Sequence, residues 1–77
     1  MDELLKRITL DPKVMMGKPV IKGTRITVEH IMRLLAGGHS EAEITDAHPH
    51  ITQDDIRAAC AYAAARVAED RVLTVAE

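Results

Sequence analysis

The amino-acid pattern predicts a mainly α protein, with a short N-terminal strand and a β-hairpin followed by a three-helix, helix-turn-helix-like (homeodomain-like) bundle. Three observations point there. The run from Gly17 through Lys18, Pro19, Val20, Ile21, Lys22, Gly23, Thr24, Arg25, Ile26 and Thr27 to Val28 reads as a tight turn feeding directly into a capped helix. Beyond it, apolar residues recur at helical spacing, interrupted by Gly37-Gly38 and by Pro49. And 77 residues leave room for one domain, read as an arm and hairpin over 1–27, a three-helix unit over 28–69 and a tail over 70–77.

In chain order, Ile8 and Leu10 alternate with Thr9 and stop at Asp11-Pro12, which predicts a short strand. Lys22-Gly23 can turn the chain between two β-prone pairs, Val20-Ile21 and Arg25-Ile26. Gly17 and Gly23 suit conformations that side chains resist, and Pro19 fixes one φ. Thr27 stands where an N-cap belongs, with Ile26 and Ile31 placed to staple across it. The first helix runs from Val28 to about Ala36, with Val28, Ile31, Met32 and Leu35 on one stripe, and Gly37-Gly38 ends it. Ser40 and Glu43 form a capping box for a second helix that stops before Pro49. Thr52 caps the third helix, Ile51 and Ile56 repeat the staple, and the helix continues to about Glu69. Ile44, Ile51 and Ile56 are spaced so that the second and third helices share a core across a tight turn.

Composition narrows the function classes. The hydrophobic fraction is 47%, yet Phe and Trp are absent and Tyr62 is the sole aromatic, so the core is built from thin aliphatic side chains. A chain of this size buries only about 60–65% of its unfolded surface, which makes self-association a natural supplement. The single Cys60 excludes an internal disulfide. No apolar run approaches the ~20 residues that span a bilayer and no signal-peptide pattern opens the chain, so a soluble, cytoplasmic protein is expected.

The net charge of −2 hides an asymmetry. Lys6, Arg7, Lys13, Lys18, Lys22 and Arg25 face only Asp11 in residues 6–25, whereas residues 41–55 hold Glu41, Glu43, Asp46, Asp54 and Asp55 and no cation. Either these are two solvated faces, or each meets a partner of opposite charge. For double-stranded DNA, a helix-turn-helix would present Gln53 and Arg57 from the third helix, with Lys18, Lys22 and Arg25 from the arm. Asp54 and Asp55 at the same helix start oppose phosphate contact there.

The third helix is unusually smooth. Ile56, Ala59, Cys60, Ala63 and Val67 form the stripe expected to face the core. Ala58, Ala61, Tyr62 and Ala65 lie away from it, and are the expected homodimer interface, small side chains around one amphipathic anchor. In the tail, Val72, Leu73 and Val75 alternate around Thr74 as an added strand on a partner's sheet would, or else fold back over the domain or across the dimer.

Titratable residues give no catalytic or metal site. His48-Pro49-His50 lacks further ligands, and Cys60 has no companion cysteine. Asp54 and Asp55 diverge by about 100° around a helix and are explained by the helix dipole. No nucleophile stands beside a base, no phosphate loop is present, and no cofactor is expected.

The Gly17–Val28 run, together with Arg7-Ile8 and the later Pro49-His50-Ile51-Thr52, Asp55-Ile56 and Ala61-Tyr62-Ala63-Ala64, resembles the bacterial family catalogued as domain of unknown function 433, over roughly residues 7–68. The resemblance carries no catalytic residues. It implies that His48 replaces a packing ring, because the family tends to place an aromatic there. Such proteins are commonly encoded beside small PIN-like nucleases, which implies the antitoxin half of a type II toxin–antitoxin pair, with DNA binding for autoregulation. The alternative is a dimeric scaffold with a helix-turn-helix shape and no DNA. A neighbouring gene for a small nuclease separates the two.

Overall fold

Ile8 pairs with Ile21 and Thr9 with Val20 in an antiparallel ladder of two-residue strands, β1 (Ile8–Thr9) and β2 (Val20–Ile21). The computed structural model describes residues 2–69 of the chain. Around the ladder stand four helices, α1 (Asp2–Leu5), α2 (Val28–Ala36), α3 (Glu41–Ala47) and α4 (Gln53–Glu69). The last three are the helices expected from the sequence. The mainly helical class with a short antiparallel β element is therefore the observed one.

The hairpin differs from expectation. Val20-Ile21 takes β1 as its main partner, and its pairing with the segment after the turn shrinks to an isolated Val20–Thr27 bridge and an Ile21 N–H to Ile26 C=O bond of 2.9 Å. Thr24 is the reason. Its hydroxyl donates to the Ile21 carbonyl at 2.8 Å and accepts from the Ile26 N–H at 3.0 Å, so a side chain takes over what a second ladder would use. The turn itself is closed by Thr24 N–H to Ile21 C=O at 2.9 Å, with Gly23 at φ +82°.

Each helix end has a local cause. The Thr27 hydroxyl accepts from the His30 N–H at 2.9 Å, and Pro19 C=O takes the Val28 N–H at 2.9 Å. Gly38, at φ +95°, ends α2 in a Schellman motif: its N–H reaches Leu35 C=O at 3.0 Å, and the His39 N–H reaches Leu34 C=O at 3.1 Å. Ser40 and Glu43 form the capping box of α3, with bonds of 2.7 and 3.1 Å. Thr52 and Asp55 exchange the same pair of bonds at the start of α4, at 2.9 and 3.2 Å.

The core is a cluster of isoleucines. Ile21, Val28, Ile31, Ile44, Ile51, Ile56 and Ala59 are buried together, and Ile8, Ile26, Met32, Leu34, Leu35, Tyr62 and Ala63 pack around them. Both expected staples lie in it. One segment is unlike anything read from the sequence. Met15 and Met16 take φ of 49° and 59° before Gly17 at 83°, a left-handed turn in which Met16 is 90% exposed. Side-chain residues pay about 1–2 kcal/mol each for that conformation.

Candidate functional site

α4 outlasts the helices it packs against, and a groove opens where it does. Its 17 residues span about 25 Å, against about 14 Å for the nine of α2 and about 10 Å for the seven of α3. Its first turns are buried, through Asp55, Ile56, Ala58, Ala59 and Ala61. Past them, Tyr62, Ala63, Arg66 and Val67 face Val28, Glu29 and Met32 of α2 across a gap of about 600 Å³ that Leu10, Lys18 and Pro19 close at one side. The walls are mostly carbon. Leu10 and Val67 are 56% and 65% exposed, high values for large aliphatic side chains.

Charges line the rim. Lys18 Nζ lies 3.3 Å from the Glu29 carboxylate, Arg33 lies 2.8 Å from the same group, and Arg66 lies 3.2 Å from Glu69. The hydrogen bond and charge of Lys18, followed by the charge of Arg33, hold the Glu29 carboxyl below its usual range. The result is an apolar trough with a charged border, suited to an apolar segment of another chain.

This arrangement redistributes the sequence-derived faces of α4. Ala58 and Ala61, expected to point outward, are 0% and 6% exposed. They lie outside the isoleucine cluster, on a helix against which α1 and β1 pack. Tyr62 is half-buried against the core and Ala65 is half-buried. Conversely, Cys60 and Val67, expected to face inward, are exposed. Val67 lies beyond the reach of the shorter helices. Partial desolvation, then the Glu41 carboxylate, push the Cys60 thiol up despite its exposure, which makes it a weak nucleophile and metal ligand.

The two opposed charge clusters touch at one point, through Arg7. Arg7 reaches the N-terminus of α4 and lies 3.1 Å from Asp55 and 3.7 Å from Asp54. Asp55 is 6% exposed and has both carboxylate oxygens engaged, one by Arg7 and one by the Thr52 N–H. The carboxylate is thus both a cap and an anchor for the arm.

The nucleic-acid candidates divide among several places. Lys18 is on the rim of the apolar groove with Glu29. The Gln53 amide donates to Glu41 at 2.7 Å. Lys22 and Arg25 line a different cleft, together with His50. Arg57 is exposed on α4, with no carboxylate within 4.0 Å among the described residues. The tail residues Val72, Leu73 and Val75 lie outside the described residues. His48 packs edge-to-face on His30, with ring centroids 5.7 Å apart and planes at 84°, the packing contact implied for that position. Among the described residues no group of three or more His, Cys, Asp or Glu could hold a metal, and no helix is long and apolar enough to cross a membrane. Sequence reasoning missed Leu10, Pro19 and Met32 as groove residues, and Arg7 as the anchor. An apolar Leu10 directly before Asp11-Pro12 was the one available signal.

A family model and a solved structure name the same family. The family described as "Protein of unknown function (DUF433)" matches residues 8–63. The uncharacterised protein y4eO of Sinorhizobium fredii is 36% identical over 58 residues, covering 75% of this chain and 26% of that protein. The chain therefore spans about a quarter of that relative's length. An uncharacterised protein of Archaeoglobus fulgidus is 57% identical over 30 residues, 39% of this chain and 83% of that one. The crystal structure of a DUF433 member from Anabaena variabilis superposes with a TM-score of 0.78 at 26% identity, covering 88% of this chain and 67% of that one. The family match takes in β1, the basic cleft and most of the groove, and stops before Arg66 and Val67. On this evidence the chain belongs to the DUF433 family.

Proposed function

We propose that this chain is a non-catalytic, cytoplasmic binding protein, the antitoxin of a type II toxin–antitoxin pair, which neutralises a PIN-like ribonuclease by seating an apolar segment of it in the groove between α2 and α4. The observation that carries this reading is the groove itself, an apolar trough bordered by Lys18, Glu29 and Arg66 with Leu10 and Val67 uncovered. The gene neighbourhood implied by the family resemblance supplies the partner's class. Val72, Leu73 and Val75 follow α4 directly in sequence and are assigned to the same partner surface. For autoregulatory DNA binding, the pairing of Lys18 with Glu29 and of Gln53 with Glu41 leaves Lys22, Arg25 and Arg57 as the side chains that contact phosphate.

The test is a titration of the nuclease encoded beside this chain, with its ribonuclease activity as readout. Equimolar chain should abolish the activity, and a nuclease indifferent to excess chain contradicts the reading. A dimeric scaffold is the competing account, because a second copy could cover the same Leu10 and Val67. Sedimentation equilibrium separates them: a dimer dispersed by Val67→Glu, beside an uninhibited nuclease, favours the scaffold.

A further inference from the structure

We propose that the cleft between the Ile21–Thr24 turn and His50 is a binding site for a phosphate group. It encloses about 540 Å³ and is lined by Lys22, Gly23, Thr24, Arg25, Ile26 and His50. Its composition sets it apart. Three other clefts among the described residues each contain a carboxylate, Glu29 in the apolar groove, Asp11 in a second, which Gly23, Thr24 and Arg25 also line from its other side, and Glu41 in a third. This one contains none, in a protein whose net charge is −2.

Lys22 and Arg25 differ from the five cations that form ion pairs among the described residues, and share this with Lys13 and Arg57. Lys6, Arg7, Lys18, Arg33 and Arg66 each have a carboxylate within 4.0 Å, whereas Lys22 and Arg25 have none among the described residues. Carboxylates elsewhere in the chain have partners of their own. Asp54 and Asp55 face Arg7, and Asp11 accepts the Lys13 N–H at 2.9 Å. An oxyanion entering the cleft therefore meets two uncompensated positive charges and no carboxylate on its walls.

The donors suit phosphate. The Arg25 guanidinium can engage two oxygens in a fork, Lys22 supplies a mobile point charge, and an imidazole of either tautomer offers one N–H. Their loops are fixed before any ligand arrives. Thr24 is committed to Ile21 and Ile26, so it braces the turn instead of contacting the ligand. On the other side, Ile51 N–H to His48 C=O at 2.8 Å closes the turn that carries His50. The site rests on the phosphate contacts assigned above to Lys22 and Arg25 and adds His50 and a bounded cleft to them. None of its residues lines the apolar groove, so nuclease neutralisation and phosphate binding can fail separately.

The experiment is an amide chemical-shift titration of the full chain with inorganic phosphate at low ionic strength, with chloride as the control for ionic strength. Saturable shifts confined to residues 22–26 and 50–51 are expected. Arg25→Ala or Lys22→Ala should weaken binding by about tenfold or more, with the rest of the spectrum unchanged because both side chains are exposed. Absence of saturation, insensitivity to both substitutions, or shifts spread equally to Lys13 overturns the site. A short DNA duplex identifies the source of the phosphate. Salt-sensitive displacement of phosphate by the duplex, lost in the same variants, supports the site as a nucleic-acid backbone contact. Phosphate binding without duplex binding supports it as a site for a small phosphorylated molecule.

Discussion

The two ends of α4 both carry runs of alanine and have opposite environments. From Thr52 to Ala61 the helix is capped, tied to Arg7 and buried on two faces, through Ile56 and Ala59 toward the isoleucines and through Ala58 and Ala61 on a face outside that cluster. From Tyr62 to Glu69 it has one half-covered face, and Val67 is 65% exposed. An alanine-rich helix gives each of its turns high intrinsic helix propensity, so propensity does not create the difference. What differs is which neighbouring elements reach that far. The first end holds the fold together, and the second supplies one wall of the groove.

A glutamate introduced at each of the two ends should separate them most visibly. Ala61→Glu places an unpaired carboxylate at a 6% exposed site and should unfold most of the protein, read as loss of the cooperative thermal transition. Val67→Glu should shift stability by no more than about 0.5 kcal/mol. A comparable loss at both positions would show that the groove wall is structural.

A smaller effect is expected at the anchor. Asp55→Ala removes the carboxylate half of the capping box and the nearer partner of Arg7, and should cost about 1–3 kcal/mol by chemical denaturation. Arg7→Ala should cost less, because Thr52 still serves the buried carboxylate, and a double-mutant cycle should show the two residues coupled. Additive losses would remove Arg7 from the capping unit.

The smallest effect concerns acid. The Ser40 backbone N–H, ahead of His39, lowers the Glu43 carboxyl below its usual range. A carboxyl lowered in the folded state contributes stability that is present above its unfolded pKa and lost as pH falls through the folded one. Acid titration below the usual carboxylate range should therefore loosen the start of α3, followed by its amide shifts, and Glu43→Gln should remove that pH dependence.

Much of the fold was legible because its signals are local. Thr27, Ser40, Thr52 and Gly37-Gly38 mark helix ends through bonds to residues a few positions away, and the isoleucine spacing locates the core. What stayed hidden depends on distance or on featureless side chains. Arg7 and Asp55 are 48 positions apart. α1 has only four residues, too few for a periodic pattern, so its packing on α4 could not be foreseen. Alanine at seven of the 17 positions of α4 weakens the directional signal, which is why the stripe takes in the exposed Cys60. Val67 keeps the side that faces α2 and lies past the residues that would cover it. The positive φ of Met15 and Met16 is imposed by the chain around them, since methionine carries no preference for it. The groove needed the fold, because its walls come from the first strand's end, the loop before β2, α2 and α4.

The central claim is that the exposed end of α4 binds a partner without serving the fold. The most direct measurement is the ribonuclease activity of the neighbour-encoded nuclease titrated in parallel with the unaltered chain and with Val67→Glu, each shown to melt at the same temperature. The unaltered chain should silence the nuclease at equimolar ratio, and Val67→Glu should leave it active. Equal inhibition by both proteins, or inhibition by neither, would contradict the account.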